Sequence, residues 1–416
     1  MLNKRYIKFV SSILIILTIF TFSVVFAADD SVYVWSNESG KSVQTNAKTE
    51  NQSTNVKTEN ELKLESGGAI LIEQHTGQVL YEYNMHEKLR PASVTKVMSI
   101  LLIMEALDSG KISLTNKVPC TEDAAAMGGS QIWLDVREEL TVDEMLKAIC
   151  VVSANDCTVA MANYLCGSQE AFVEKMNLKA KELGMNDTTF KNCHGIDEDG
   201  HVTSPYDIAL MSRELLNNHP TILKYTTIWM DSLRDGKSQL VNTNKLIRNY
   251  KGATGLKTGS TSVALYNLSA SATRDNLSLI AVIMKAPSTK VRFAEAQKLL
   301  DYGFNNYEYK ELAKKGDTLK TVSVTKGVKE TAELVIESDC GLLIKKGQDK
   351  QIEQQVKVED NLQAPIKENQ KVGEIVYMLS GKKIARTNVI ANCSVDKKTF
   401  SNILSYIYKN WFCLLR

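Results

Sequence analysis

The rhythm of apolar and polar positions changes repeatedly along this chain, and each change predicts a different kind of structure. Lys4, Arg5 and Lys8 precede an apolar run from Phe9 to Phe26, with Ala27 and Ala28 behind it. A basic start, an apolar stretch and small residues at its end form the pattern of an export signal, here residues 1–28. The alternative is an uncleaved anchor, because the run approaches the roughly 20 residues that span a bilayer. Residues 29–62 are rich in Ser, Thr, Asn, Lys and Glu, and Lys-Thr-Glu-Asn occurs at Lys48–Asn51 and again at Lys57–Asn60. Too little apolar surface is available there to offset the entropy of ordering, so a disordered tether is expected.

A folded domain is expected over 63–306. Gly68–Ile72 and Gln78–Tyr83 flank the turn-like His75-Thr76-Gly77, which predicts a hairpin. Helical signals follow from Ser93 to about Leu107, and at Thr141–Ala148, Ala154–Leu165, Gln169–Leu183, Pro205–Asn217 and Val291–Tyr302, the last ending at Gly303. Strand character returns at Tyr266–Ala272 and Leu277–Met284. This order implies an α+β fold in which helices group against a mainly antiparallel sheet. Over 307–396, short alternating runs such as Thr318–Val324, Ala332–Ile336 and Ile375–Leu379 predict a small β-rich domain.

The final segment, 397–416, reads as an amphipathic helix. Phe400, Ile403, Leu404, Ile407, Trp411 and Leu414 share one helical face. The segment is too short, and too interrupted by Lys409 and Asn410, to span a bilayer. Tyr406, Tyr408 and Trp411 suit an interface, and Lys397, Lys398 and Arg416 can meet anionic head groups. The expectation is a helix lying flat on the outer face of the cytoplasmic membrane; the alternative is one packed on the β-domain.

Composition narrows this only a little. A chain of 416 residues exceeds one small core, and 44% hydrophobic with 24% charged residues is ordinary for a globular protein. A net charge of +2 gives no reason to expect nucleic acid. Eight cysteines in an exported chain raise the question of disulfides. Cys150, Cys157 and Cys166 lie in an apolar run, Ala148–Cys166, expected to be mostly helical. In one helix Cys150 and Cys157 would stand about 10 Å apart, beyond the roughly 7 Å a disulfide tolerates, so most cysteines read as small buried hydrophobes. His194 and His201, with Asp197 and Asp199, sit in a loop broken by Gly195 and Gly200, without helical ligand spacing. No metal and no cofactor are expected.

The candidate chemistry rests on short motifs. In Pro91-Ala92-Ser93-Val94-Thr95-Lys96, helical spacing puts Ser93 and Lys96 on one face. A lysine can take the serine proton if desolvation or a neighbouring cation lowers its pKa. Backbone N–H groups at such a helix start also point where an oxyanion would form. The plain alternative is a capping serine with a solvated lysine. Ser153-Ala154-Asn155 opens an apolar helix; Ser153 is either an N-cap or a proton relay beside Lys96, with Asn155 orienting a substrate carbonyl and the lysine. Lys257-Thr258-Gly259 enters a strand along which a peptide could add by backbone hydrogen bonds. There Lys257 and Thr258 would bind a terminal carboxylate, Gly259 would permit close approach, and the Ser260 N–H would complete the oxyanion site. An ordinary basic turn is the alternative.

In that order and behind an export signal, the motifs resemble the penicillin-binding proteins and serine β-lactamases. Arg90–Met98, Val152–Asp156, Gly255–Gly259 and the stretch His194-Gly195…Gly200-His201-Val202-Thr203-Ser204 resemble more narrowly the low-molecular-mass D,D-carboxypeptidases, peptidase family S11. The resemblance implies a β-lactamase-like D,D-peptidase domain followed by a β-rich domain. It implies a serine enzyme that removes the terminal D-alanine from peptidoglycan stem peptides ending in D-Ala-D-Ala, with β-lactams as covalent inhibitors of Ser93. Catalytic roles then fall to Ser93, Lys96, Ser153 and Asn155, and substrate binding to Lys257, Thr258, Gly259 and Ser260. The rival readings are a D,D-endopeptidase, a non-catalytic wall-binding protein, and a β-lactamase. The last would add a water-activating glutamate with an asparagine four residues on, and Glu182…Asn186 has that spacing at a helix end.

Overall fold

The computed structural model describes residues 62–402 together with 404, 407 and 408. The export-signal expectation, and all of the tether expectation but Leu62, therefore lie outside the described residues.

A five-stranded sheet organises the first part of the chain. Its strands are β1 (Gly68–Glu73), β2 (Val79–Tyr83), β3 (Ala253–Thr261), β4 (Leu265–Arg274) and β5 (Leu277–Ala286). They lie in the order β2-β1-β5-β4-β3, every pairing antiparallel. The central strand β5, Leu-Ser-Leu-Ile-Ala-Val-Ile-Met-Lys-Ala, is buried almost throughout because both faces of the sheet are covered, so its apolar run is continuous rather than alternating. In β1 the period of two is plain: Ile70 and Ile72 join the core under the helices, while Ala69 and Leu71 join the core on the opposite face.

The helices are α1 (Lys96–Asp108), α2 (Val142–Val151), α3 (Asn155–Cys166), α4 (Gln169–Glu182), α5 (Pro205–Asn218) and α6 (Thr289–Asn306). Helix α1 is buried on nearly every side, from Lys96 through Met104, as expected of a helix apolar all round. Its amphipathic neighbours start from good caps: Thr141 and Glu144 form a capping box on α2, and Ser168, Ser204 and Ser288 cap α4, α5 and α6.

Two local expectations are corrected. Helix α6 runs through Gly303 to Asn306 instead of ending there. A Cβ at Gly303 would stand 2.5 Å from Leu279 Cδ1 and 3.1 Å from Leu71 Cδ2, so this glycine lets the helix approach the sheet. The apolar run Ala148–Cys166 is likewise not one helix. It breaks between Val151 and Asn155, and Ser153 adopts φ 64°. The distance argument for Cys150 and Cys157 thus does not apply; both are free, buried thiols on separate helices.

The C-terminal part is β-rich. A six-stranded sheet orders its strands as Ile352–Val358, Lys371–Leu379, Lys382–Ala391, Thr331–Ile336, Thr318–Thr325 and Asn361–Gln363. Tyr307–Ala313 pairs separately with Cys340–Lys345. Beyond it, Phe400, Leu404, Ile407 and Tyr408 are helical and exposed. The rest of the amphipathic-helix expectation lies outside the described residues. Among the described residues, no helix is long and apolar enough to cross a membrane.

Candidate active site

The structure brings the three motifs together at the start of α1. Residues Ala92–Thr95 form a tight 3-10 turn that leads directly into α1 at Lys96. Ser93 is half-buried in that turn and Lys96 is wholly buried. The Lys96 amine lies 3.0 Å from Ser93 Oγ, 2.6 Å from Asn155 Oδ1 and 2.7 Å from the His194 carbonyl. Asn155, the first residue of α3, is itself fixed: its Nδ2 donates to the Gly128 carbonyl and its N–H to the Ser130 carbonyl, both at 2.7 Å.

Ser153 is not the cap of α3; Ala154 occupies that position without a side-chain bond. The Ser153 hydroxyl is buried and has no hydrogen-bond partner, Lys96 included. Ser153 stands one residue before that cap at φ 64°, outside the extended backbone typical of a capping serine.

Strand β3 is an edge of the five-stranded sheet, so one side of its backbone is open to pairing. Lys257 is buried and donates to the Thr258 carbonyl at 2.9 Å, and Thr258 Oγ1 donates to Thr243 Oγ1 at 2.7 Å. Ser260 is exposed at the strand end. Gly259 passes directly over the Ser93 turn: a Cβ there would meet Ser93 N and Val94 N at 2.8 Å and the Pro91 carbonyl at 2.9 Å. Those are backbone atoms and cannot swing aside. Gly259→Ala is therefore expected to displace β3 from Ser93 and to lower penicillin acylation by about 10²-fold, the cost of a misplacement near 1 Å; stopped-flow labelling checks this.

Burial is the main force on the charges. It pushes Lys96 well below the ordinary lysine range; the nearby Lys257 cation pushes in the same direction, while Cys193 and Asp156 pull back weakly. Lys257 falls to about 7, again chiefly through burial, with Cys150 opposing and Arg292 adding to the shift. A neutral Lys96 amine has two N–H groups and one lone pair. In that form Asn155 Oδ1 and the His194 carbonyl would take the N–H groups, and the lone pair would be left for Ser93 O–H.

Beyond the motif residues, several groups build the site that sequence reasoning did not single out. Arg292 on α6 is buried and donates to the Gly259 and Asn267 carbonyls at 3.2 and 3.1 Å, bracing β3 from behind. Its signal was a buried-face arginine within the α6 pattern. The buried Asp156 carboxylate accepts from Ile132 N and Leu134 N at 3.0 and 3.1 Å and so holds the loop that carries Gly128 and Ser130. Glu182, the residue a β-lactamase reading would need, is instead paired with Lys179 at the end of α4.

Comparison with known families decides the assignment. The family model for peptidase S11, D-alanyl-D-alanine carboxypeptidase, matches residues 54–288. The chain belongs to this family. A second family model, the C-terminal domain of penicillin-binding protein 5, matches residues 307–397. The S11 chain is 46% identical to the D-alanyl-D-alanine carboxypeptidase DacF of Bacillus subtilis (strain 168), over 84% of this chain and 91% of that one. It is 33% identical to DacA of Escherichia coli (strain K12), over 84% and 89%. Among solved structures, penicillin-binding protein 5 from Haemophilus influenzae matches with a TM-score of 0.68 and 32% identity, covering 80% of this chain and 98% of that one. Penicillin-binding protein D2 of Listeria monocytogenes, solved in an ampicillin-bound form, matches at 30% identity and a TM-score of 0.54, covering 58% and 99%. This S11 enzyme is a D-alanyl-D-alanine carboxypeptidase on the penicillin-binding fold, and the β-lactamase and non-catalytic readings fall away.

Proposed function

We propose that Ser93 is the acylated nucleophile of this carboxypeptidase and Lys96 its base. The observation that carries the reading is the buried Lys96 amine, 3.0 Å from Ser93 Oγ, with both N–H groups of its neutral form already engaged. Lys96 takes the Ser93 proton as Oγ bonds to the penultimate D-Ala carbonyl carbon. The N–H groups of Ser93 and Ser260 hold the oxyanion. As the carbonyl–nitrogen bond breaks, the proton passes to the departing D-Ala amine, with Ser153 as relay and Asn155 orienting the acyl carbonyl. Water then attacks the acyl-enzyme, its proton going to Lys96 and then to Ser93 Oγ. Peptidoglycan stem peptides ending in D-Ala-D-Ala are the substrates on this reading, and β-lactams leave a covalent adduct on Ser93. Peptide mapping of a penicillin-labelled enzyme tests it: label on any other serine overturns the assignment.

Lys257 and Thr258 take the terminal carboxylate of a peptide lying along the open side of β3 past Gly259. Lys257→Ala is expected to penalise an acid-ended peptide at least about tenfold more in kcat/KM than its amidated analogue, since charge-assisted bonds contribute about 1.5–3 kcal/mol. Equal losses on both would assign Lys257 to the reaction centre instead.

The same proposal covers where the enzyme works. An export signal at 1–28 and a tether at 29–62 would deliver the peptidase domain, 63–306, and the β-domain, 307–396, outside the cytoplasm. The segment 397–416 would then rest on the outer face of the cytoplasmic membrane. The exposed Phe400, Leu404, Ile407 and Tyr408 support this, beside Lys397 and Lys398. Cut after Asp396, the enzyme is expected to keep its activity and to stop floating with anionic liposomes. Continued flotation of the shortened protein would refute the anchor.

A further inference from the structure

The segment 191–203 wraps the Ser93 turn through contacts that the chemistry above does not use. Ser99 Oγ donates to the Cys193 carbonyl at 2.6 Å, and Leu89 bridges Thr203. Gly195, at φ 92°, packs against the Ala92 carbonyl with no room for a Cβ. Between these contacts runs a buried chain of polar groups whose direction can be assigned. Lys191 N–H donates to His201 Nδ1 at 2.9 Å. With Nδ1 accepting, the proton of a neutral imidazole sits on Nε2, 2.8 Å from Thr95 Oγ1. Nε2 therefore donates to Thr95, and Thr95 Oγ1 donates in turn to the Ala92 carbonyl at 2.8 Å. That last acceptor belongs to a residue held at φ 48°, a left-handed conformation that an L-residue with a Cβ disfavours, immediately before Ser93.

We propose that His201 is a positioning residue for Ser93: through Thr95 it locks the Ala92–Ser93 turn in the conformation that presents the hydroxyl to Lys96 and the Ser93 N–H to β3. His201 and Thr95 are both buried, so neither bond competes with water. Burial also brings His201 down to about 4; Glu198 and Asp197 oppose the shift and Arg90 adds to it, so the ring stays neutral and the direction of the chain holds. The Phe190 ring, 5.9 Å away, packs beside the imidazole. The stretch Gly200-His201-Val202-Thr203 thus serves the site through the turn that carries Ser93.

The test separates the two bonds of the imidazole. In His201→Asn the side-chain oxygen can still accept from Lys191 N–H, but the side chain is too short to reach Thr95. In His201→Gln the amide nitrogen reaches the place of Nε2. Thr95→Val removes the hydroxyl and keeps the shape. Acylation by a fluorescent penicillin, KM for an acid-ended peptide and thermal unfolding are measured on the full enzyme. His201→Asn and Thr95→Val are each expected to slow acylation at least about tenfold with KM nearly unchanged, as a misplaced nucleophile would. The double variant should be no slower than the worse single, because both break one chain, and His201→Gln should recover most of the rate. The proposal is overturned by wild-type acylation in His201→Asn, by losses that multiply in the double variant, or by a Gln variant no better than Asn. Should His201→Asn fail to fold, Thr95→Val decides alone: unchanged acylation refutes the chain. The proposal rests on Ser93 being the acylated residue. That is read independently, from the position of the label in the wild-type enzyme.

Discussion

Ser93→Ala is expected to eliminate covalent attachment of penicillin and to lower D-Ala release by about 10⁴- to 10⁶-fold, the range seen when one member of a nucleophile–base unit is removed. Among the described residues of the motifs, neither Ser153 nor Ser260 is placed to substitute. Ser153 Oγ has no bond to Lys96, and Ser260 is exposed at the end of β3. The fold should survive, because the turn around Ser93 is held by other groups: Thr95 on the Ala92 carbonyl, Gly195 against the same peptide and Gly259 across it. Intact-protein mass spectrometry after incubation with penicillin, D-Ala release and thermal unfolding are measured together. Release within tenfold of wild type in a protein that no longer takes the label would place the chemistry on another group.

Part of this site was legible in the sequence because local geometry dictates it. A serine and a lysine three residues apart at a helix start must share a face, and the structure has them in contact. The runs Gly68–Ile72 and Gln78–Tyr83 on either side of the turn at His75-Thr76-Gly77 likewise specify a hairpin without reference to the rest of the chain, and β1 and β2 form it. Gly259 was expected to permit close approach; what it approaches in the structure is the backbone of Ser93 and Val94.

What could not be read is set by distant neighbours. A helix opening just after Ser153 was legible, but the left-handed backbone at Ser153 itself, φ 64°, falls in an apolar run with no Gly or Pro to mark it. Gly303 looked like a helix stop, yet the contact that explains it is with Leu279 and Leu71 on the sheet. Arg292 braces the Gly259 carbonyl from 33 residues away, and His201 reaches Thr95 across 106, so no window of sequence contains both partners. Asp156 stood beside a motif residue, and its bonds to Ile132 and Leu134, which hold a loop of the site, lie more than 20 residues away in sequence.

Lys96→Ala is expected to slow acylation by about 10²- to 10⁴-fold, the typical contribution of a positioned general base. The stability change is the balance of two opposing effects, so thermal unfolding is measured alongside. Removing the amine relieves its desolvation, but it leaves Asn155 Oδ1 and the His194 carbonyl without that donor, and each such orphan costs about 1–3 kcal/mol. The pH profile identifies the base more sharply than the rate does. In the wild-type enzyme acylation should fail on the acid side as Lys96 gains a proton. The Lys257 cation helps to hold that proton off, second only to burial. Taking the Lys257 charge away favours protonated Lys96 and raises its pKa. Lys257→Met should therefore move the acid limb of acylation to higher pH, and in Lys96→Ala the limb should vanish. The profile is measured with an amidated peptide, so that loss of carboxylate binding does not enter. An acid limb that stays in place in Lys257→Met, or that persists in Lys96→Ala, would mean that another group takes the Ser93 proton.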